Sequence, residues 1–282
     1  MLNFNKLCVF DFETTGRDPN FAQPCSIAGV MIDPRKLTIC DNGMFYSLCN
    51  IIPDEEVDKY NLRPLEEKAL QVNKLSLDDL KKAPPLKKVW GDFADWVNFH
   101  NPEKDKWAAP ILCGQNTNYD KIIKDRIVDG HLRGEIILPE KLVPKTKLTK
   151  LEDDEIRKEY KKIVPFKEPY KFGPDRLFHP IYQLDTLQFS FAFFESSREP
   201  HKLGLDIIKQ FLGFTAAGAH NALVDALYTA EILIRYLKII REVSKETDFC
   251  TGGATLLRIQ EIISTTFKPT TSIEVADEVC PF

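Results

Sequence analysis

The sequence predicts an α/β fold, and three patterns support that class. Residues 6–52 are dominated by short apolar runs with brief connections, which is typical of an antiparallel meander of strands. Residues 110–130 read as a buried strand, a turn and a helix, the unit from which α/β folds are built. An apolar stripe at helical spacing then runs from Leu223 to about residue 243. With 282 residues, the chain is long enough for one large domain and an appendage.

Strands come first in the chain, and helices follow. Thr14-Thr15-Gly16 predicts a tight turn after the first strand, in which Gly16 is free to take unusual dihedral angles. Ser76, with Asp79 three residues on, is typical of a helix N-cap. Aromatic residues after Pro85 recur at helical spacing, so we expect them in the core. The predicted strands are 6–10, 26–32 and a region comprising 37–39 and 44–52, and the predicted helices are 64–70, 75–80 and 86–100.

The second half of the chain contains a charged excursion between predicted core elements. Residues 131–180 hold twelve Lys or Arg and nine Asp or Glu, a mixture typical of a solvated surface, with contact to nucleic acid or a partner as the alternative. We expect a surface helix at 152–162 within it. The other predicted elements are a strand at 110–114, a helix from about 122 to Gly130, a strand at 181–188, a helix at 203–212 ended by Gly213, the long helix to about 243, and an amphipathic run at 254–267.

Composition excludes several classes of protein. Hydrophobic residues make up 43% and charged residues 28%, which is ordinary for a globular protein, and no run of eighteen apolar residues predicts a membrane span. The N-terminus lacks the pattern of a signal peptide, so we expect an intracellular, cytoplasmic protein. Seven scattered cysteines without a Cys-x-x-Cys pair favour reduced thiols over disulfides or zinc. A net charge of −4 argues weakly against nonspecific coating of nucleic acid.

Two acids, Asp11 and Glu13, end the first predicted strand at alternate positions. Side chains two residues apart on a strand share a face and lie roughly 6.5–7 Å apart along it. Burying like charges on so apolar a strand is unfavourable unless a positive charge lies between them. Carboxylate oxygens are the ligands that Mg²⁺ and Mn²⁺ prefer. The pair therefore predicts a divalent metal site, which requires further acids and a base downstream.

Three downstream residues could complete such a site. Asp120 lies early in a helix just after a strand and turn, and Asp225 lies early in the long amphipathic helix. His220 precedes Asp225 by five residues. Taken singly, each has an ordinary alternative, since acids favour the first turn of any helix and a lone His before a helix is usually a surface or cap residue. Together with Asp11 and Glu13 they form a set of four acids and one imidazole.

The order and spacing of these residues resemble the DEDDh group of 3′→5′ exonucleases, which includes the proofreading subunit of bacterial DNA polymerase III, ribonuclease T and oligoribonuclease. The resemblance covers roughly residues 6–240. It departs from the family at Gln115, where the family usually has His, and in the long spacing between the second and third motifs, to which 131–180 contributes the excess. The matching segments are 10–16, 116–120 and 220–226, supported by 69–84, 185–187 and 203–213.

The resemblance implies an RNase H-like mixed five-stranded sheet flanked by helices, with the charged insertion between the second and third motifs. It implies two divalent cations, Mg²⁺ or Mn²⁺, held by Asp11, Glu13, Asp120 and Asp225. Asp11 would bridge both ions, and His220 would act as general base toward the attacking water. Candidates to hold the terminal nucleotide are Thr14, Thr15 and Asn116, whereas Tyr119 serves packing or contact equally well. Residues 1–243 would form the exonuclease domain, with 131–180 inserted in it, and 244–282 a C-terminal helix and tail.

The implied substrate is the 3′ end of single-stranded nucleic acid, with DNA favoured, and the products are nucleoside 5′-monophosphates. A homodimer or a polymerase partner is left open, and a membrane is not expected. The alternatives are an RNA-directed exoribonuclease, a catalytically silent module of the same fold that binds nucleic acid or a polymerase, and an endonuclease on a related fold. All five chemical positions are present in the sequence, which favours activity over a silent module.

Overall fold

The computed structural model describes residues 5–103, 105, 107–130, 132, 177–195, 199–214 and 221–246. The chain divides into two compact units, Met1–Arg235 and Tyr236–Phe282. The first unit contains the whole sheet and all four acids of the predicted site. Most of the predicted insertion at 131–180, His220 and the amphipathic run at 254–267 lie outside the described residues.

A mixed five-stranded sheet forms the centre of the first unit, in the spatial order β3-β2-β1-β4-β5. The first three strands form the predicted antiparallel meander, and β4 then pairs in parallel with β1 and with β5. Because β1, β4 and β5 are parallel, their carboxyl ends lie at one edge of the sheet. The strands are β1 Leu7–Thr14, β2 Pro24–Asp33, β3 Thr38–Leu48, β4 Ile111–Gly114 and β5 Gln183–Asp185.

Seven α-helices and one short 3₁₀ turn accompany the sheet in the described part of the chain. The Ser76 cap is confirmed, since the hydroxyl of Ser76 accepts from the N–H of Asp79 at 3.1 Å. The helices are α1 Glu67–Asn73, α2 Leu77–Lys82, α3 Leu86–Phe99, α4 Thr117–Val128, α5 Thr186–Phe194, α6 Leu205–Phe211 and α7 Ala222–Glu246, and the 3₁₀ turn is Val57–Tyr60. None of the described helices is both long enough and apolar enough to span a membrane.

The core lies between α3 and one face of the sheet. Phe10 and Phe12 of β1 point into it and meet edge to face, with ring centroids 5.2 Å apart. Phe93 of α3 is fully buried and packs against Phe10, Trp90 and other aromatic rings at 5.3–6.5 Å. Since neighbouring residues of a strand alternate between faces, this packing turns Asp11 away from the core.

Two local predictions are corrected by the structure. The strand predicted at 181–188 ends at Asp185, because the Asp185 carboxylate accepts from the N–H of Leu187 and caps a helix, α5, that begins at Thr186. Gly16 does not use a positive φ angle. A Cβ at this position would lie 2.6 Å from Oε1 of Glu66, the end of a flexible side chain that can move aside. The other described elements agree with the predicted ones to within a few residues, the third-strand region excepted, which ends at Leu48.

The aromatic packing predicts that Phe93 is a main source of stability. Phe93→Ala should lower the free energy of unfolding by about 3–5 kcal/mol, because it removes a buried ring and leaves a cavity. The matched control is Phe99→Ala on the same helix, where the side chain is 64% exposed and the change should stay within about 0.5 kcal/mol. Urea unfolding of both variants measures this, and equal losses would contradict the packing described.

Candidate active site

Asp11 and Glu13 lie on the same face of β1, near its carboxyl end. The pairing of β1 with β2 is regular through both residues, with Asp11 opposite Ala28 and Glu13 opposite Ser26, and the register shifts only after Glu13. Both acids are partly buried, whereas Phe12 between them is buried in the core. The prediction that the two carboxylates share a face is therefore confirmed.

Asp120 reaches this face from the first turn of α4. Its Oδ1 accepts a hydrogen bond from the N–H of Phe12 at 3.3 Å, and the side chain is only 4% exposed. The start of α4 is fixed by Asp185, whose carboxylate accepts from the backbone N–H groups of Asn116 at 2.9 Å and Thr117 at 3.0 Å. Because β4 and β5 are parallel neighbours, the end of β5 thus holds the loop that delivers Asp120 to β1.

Asp225 lies in the first turn of α7, which starts at a cap formed by Asn221. The Asn221 Oδ1 accepts from the N–H groups of Leu223 at 3.1 Å and Val224 at 3.3 Å. The Nζ of Lys209, on α6, donates to Oδ1 of Asp225 at 3.2 Å. His220 directly precedes this cap in sequence but lies outside the described residues, so its position relative to the acids is not described.

The electrostatics show that the acids form one cluster. Burial, and then the negative charges of Asp120, Glu13 and Asp225, hold the pKa of Asp11 well above its usual range. Burial and the charge of Asp225 raise the pKa of Glu13 to about 7. The charges of Asp120, Glu13 and Asp225 thus all act on the carboxylate of Asp11.

Asp120 has a strongly raised pKa for the same reason. Burial raises its pKa to about 8, helped by the charges of Glu13 and Asp185 and opposed by the hydrogen bond from the N–H of Phe12. A site in which several carboxylates are disfavoured in their charged form is a site that binding of a cation would stabilise. Among the described residues, however, no three His, Cys, Asp or Glu side chains are gathered closely enough to hold a metal ion as they stand.

The residues predicted to hold a nucleotide differ in their availability. The hydroxyl of Thr14 bonds to the carbonyl of Gly16 at 2.8 Å, and that of Thr15 accepts from the N–H of Gln23 at 2.9 Å. Both threonine side chains are buried, so they brace the turn after β1. Asn116 is exposed, in the left-handed conformation with φ of 61°, and its side chain is open to a ligand.

Tyr119 braces the same turn from α4. Its hydroxyl lies 2.7 Å from the hydroxyl of Thr14 and donates to the carbonyl of Gly16 at 2.9 Å. Burial, opposed by the Thr14 hydrogen bond, raises its pKa to about 12, so the phenol keeps its proton at neutral pH. Tyr119 thus links the second motif to the first through the turn, and packing is the role that these contacts describe.

Gln115, at the position where the resembling family usually has His, has a structural role. Its Nε2 donates to the carbonyl of Leu203 at 2.8 Å, and its Oε1 accepts from the hydroxyl of Thr186. Gln115 therefore ties the end of β4 to α5 and to the segment that leads into α6. These bonds need an amide with one donor and one acceptor, which glutamine supplies.

Sequence reasoning missed Lys209 and Asp185 as parts of the site. A signal for Lys209 was present, because it lies four residues after Leu205 and three before Leu212, on the apolar stripe of its helix. Lysine there is 1% exposed and paired with Asp225. The sequence pattern places Asp185 in a strand, but an aspartate directly before Thr186 is also the signal for the N-cap of α5.

Comparison with known proteins agrees with this fold. A family model described as exonuclease matches residues 8–133. None of the curated proteins searched matches the chain. The nuclease domain of 3′hExo, a DEDDh family member bound to rAMP, is similar at 16% identity and a TM-score of 0.52, over 84% of this chain and 93% of that one.

Two further solved structures have the same fold. A 3′-exonuclease, in a structure that describes 3′-end specific recognition of a histone mRNA stem-loop, aligns at 14% identity and a TM-score of 0.51, over 84% of this chain and 83% of that one. Exonuclease I of E. coli, in complex with a dT13 oligonucleotide, aligns at 12% identity and a TM-score of 0.50, over 85% of this chain and 44% of that one.

The fold is RNase H-like, and the predicted five-stranded mixed sheet is confirmed. The segment that the exonuclease family model matches, residues 8–133, carries Asp11, Glu13 and Asp120. The family model and the fold shared with solved 3′-exonucleases support the prediction that the chain is a 3′→5′ exonuclease.

The raised pKa values predict an unusual pH dependence for the protein in a chelator. A carboxyl whose folded pKa exceeds its unfolded value destabilises the fold as it ionises, so stability falls as the pH rises. For Glu13 the window runs from 4.5 to about 7, and for Asp120 from 3.8 to about 8. Asp120→Asn should therefore be more stable than the wild type at about pH 9, by on the order of 1 kcal/mol or more.

Urea unfolding at several pH values measures this difference. Asn keeps the oxygen that accepts from the N–H of Phe12 and removes only the charge. The matched control is Asp95→Asn on α3, where the side chain is exposed and the pH dependence should follow the wild type. An Asp120→Asn variant that lost stability with rising pH as steeply as the wild type would contradict the electrostatics of the cluster.

Proposed function

We propose that this chain is a metal-dependent 3′→5′ exonuclease that removes nucleoside 5′-monophosphates one at a time from the 3′ end of single-stranded nucleic acid. The observation that carries the proposal is the convergence of Asp11, Glu13, Asp120 and Asp225 at one edge of the sheet, in a domain whose family model is exonuclease. Such a cluster is unfavourable by itself and suits the binding of cations.

Divalent cations fit the chemistry of this donor set, because the donors are carboxylate oxygens and their ionised forms need compensation. When bound, Mg²⁺ or Mn²⁺ ions supply Lewis acidity toward the phosphate and favour hydroxide at the attacking water. Asp11 is central to the cluster, since the other three acids all raise its pKa. Asp11 would therefore be the central ligand of bound cations, and Glu13, Asp120 and Asp225 would be the further ligands.

His220 is proposed as the general base that accepts the proton of the attacking water. An imidazole with an ordinary pKa near 6.5 is suited to this at neutral pH. The support is sequence position, because His220 directly precedes Asn221, the cap of the helix that carries Asp225. Asn116 is proposed to contact the terminal nucleotide, since its side chain is exposed next to the loop that delivers Asp120.

The preference for DNA stays a prediction about this chain. Of the similar structures, one concerns recognition of a histone mRNA stem-loop and one contains a dT13 oligonucleotide, so both chemistries occur on this fold. A 2′-hydroxyl contact is what separates the two substrates at a given site. Matched single-stranded DNA, single-stranded RNA and a 3′-mismatched duplex, compared at equal concentration, decide between them.

The mechanism predicts two distinct losses of activity. His220→Ala should slow release of nucleoside 5′-monophosphate by about 10²–10⁴-fold, the usual contribution of a general base. Asp11→Asn should abolish release, because it removes the acid at the centre of the cluster. Both are measured on a 3′-labelled oligonucleotide with Mg²⁺, with Asp95→Asn as the control that keeps wild-type activity.

A circular single strand separates this proposal from its rivals. An exonuclease leaves the circle intact, whereas an endonuclease cuts it. A catalytically silent binding module would bind the linear oligonucleotide and release no product. A wild type that releases no monophosphate, or an Asp11→Asn variant with full activity, would contradict the proposed mechanism.

A further inference from the structure

Lys209 is a buried charged residue of the first unit that lies outside the acid cluster. Its side chain is 1% exposed, although lysine is almost never fully buried unless it is paired. Its Nζ lies 3.2 Å from a carboxylate oxygen of Asp206 and 3.2 Å from Oδ1 of Asp225. It also lies over the ring of Tyr228, 4.5 Å from the centroid. The ammonium therefore connects α6 with the first turns of α7.

The contacts of Lys209 are arranged by helix periodicity. Asp206 and Lys209 are three residues apart on α6, and Asp225 and Tyr228 are three residues apart on α7, so each pair lies on one side of its helix. Burial alone lowers the pKa of Lys209, but the two carboxylates outweigh it and the net direction is upward. The charge is thus part of the fold at neutral pH.

Asp225 is subject to opposing forces in this arrangement. The charge of Asp225 raises the pKa of Glu13, which means that the two carboxylates repel each other when both are ionised. Repulsion favours rotation of Asp225 away from the cluster. The hydrogen bond from Lys209 fixes one oxygen of Asp225, Oδ1, and offsets that repulsion.

We propose that Lys209 is a positioning residue: through its hydrogen bond to Oδ1 of Asp225 it restrains the rotation of this carboxylate and keeps it in the orientation in which it would bind a divalent cation. This inference rests on the proposed function, because it concerns a ligand of the proposed metal site. Lys209 touches neither substrate nor reacting atoms and acts only through Asp225. Partners that orient a metal ligand in this way commonly change metal affinity or activity 10–100-fold when they are removed.

The positive charge of Lys209 would by itself repel a cation, which is the opposite effect. Asp206 reduces that repulsion, because its negative charge lies 3.2 Å from the ammonium and offsets part of the positive charge that a cation would meet. Orientation of Asp225 therefore dominates, and removal of Lys209 should weaken metal binding. Weaker Mn²⁺ binding on removal of Lys209 would indicate that orientation of Asp225 dominates, and tighter binding would indicate that repulsion of the cation dominates.

Calorimetric titration of the full chain with Mn²⁺ tests the proposal without relying on activity. Lys209→Met keeps the apolar stem and removes the ammonium, and it should raise the dissociation constant for Mn²⁺ by about 10–100-fold. Lys209→Arg keeps the charge and should recover most of the affinity. Lys88→Met is the matched control, since Lys88 is also paired with an aspartate but lies exposed on α3, and its Mn²⁺ affinity should equal that of the wild type.

A purely structural role predicts a different result. A purely structural role would lower the urea midpoint of Lys209→Met and leave the Mn²⁺ dissociation constant of the folded variant unchanged. Either an unchanged or a lower dissociation constant would overturn the proposal. Lys209→Gln, which keeps a polar donor without the charge, is the second variant and should also bind Mn²⁺ more weakly. In kinetics, the Mg²⁺ concentration for half-maximal rate should rise while KM for the oligonucleotide stays unchanged.

The experiments distinguish failure of the proposed function from failure of the role proposed for Lys209. If the wild type neither binds Mn²⁺ nor releases monophosphate, the proposed exonuclease mechanism is wrong, and the role of Lys209 is wrong with it. If the wild type does both and Lys209→Met binds Mn²⁺ equally well, the mechanism stands and only the role of Lys209 is overturned.

Discussion

Burial of neighbouring carboxylates, which disfavours their charged forms, is the constraint on which the architecture of this site depends. Asp11, Glu13 and Asp120 are each less acidic than usual, and burial is the first cause in every case, with neighbouring charges adding to it. Folding such a cluster requires compensation from the rest of the molecule. The aromatic packing of α3 against the opposite face of β1 is one source of the free energy that holds the acids together.

Polar contacts made by the loops at this edge of the sheet hold the segments that carry the acids. Asp185 fixes the start of α4 through two backbone N–H groups, and Tyr119 fixes the turn after β1. Lys209 connects the start of α7 to α6. The start of α4, the turn after β1 and the start of α7 are thus each held by a polar side chain that does not belong to the acid cluster. The consequence is a site positioned by hydrogen bonds between elements distant in sequence.

The sequence predicted the elements and acids well where periodicity alone determines them. The alternation of Asp11 and Glu13 on an apolar strand, the N-cap at Ser76 and the amphipathic α3 all appear in the structure. It failed where long-range contacts decide the outcome. Gly16 lies against the side chain of Glu66, and no local pattern could show that contact. The helix after Asp185 was missed because its apolar residues also suit a strand.

The central claim is that the carboxylates of β1, α4 and α7 together bind divalent cations. Its most direct test is anomalous diffraction from crystals grown with Mn²⁺ and a nucleoside 5′-monophosphate. Manganese peaks are expected within bonding distance of the carboxylate oxygens of Asp11, with Glu13, Asp120 and Asp225 around them and the phosphate in contact. Well-ordered crystals with full Mn²⁺ and no anomalous peak at Asp11 would contradict it.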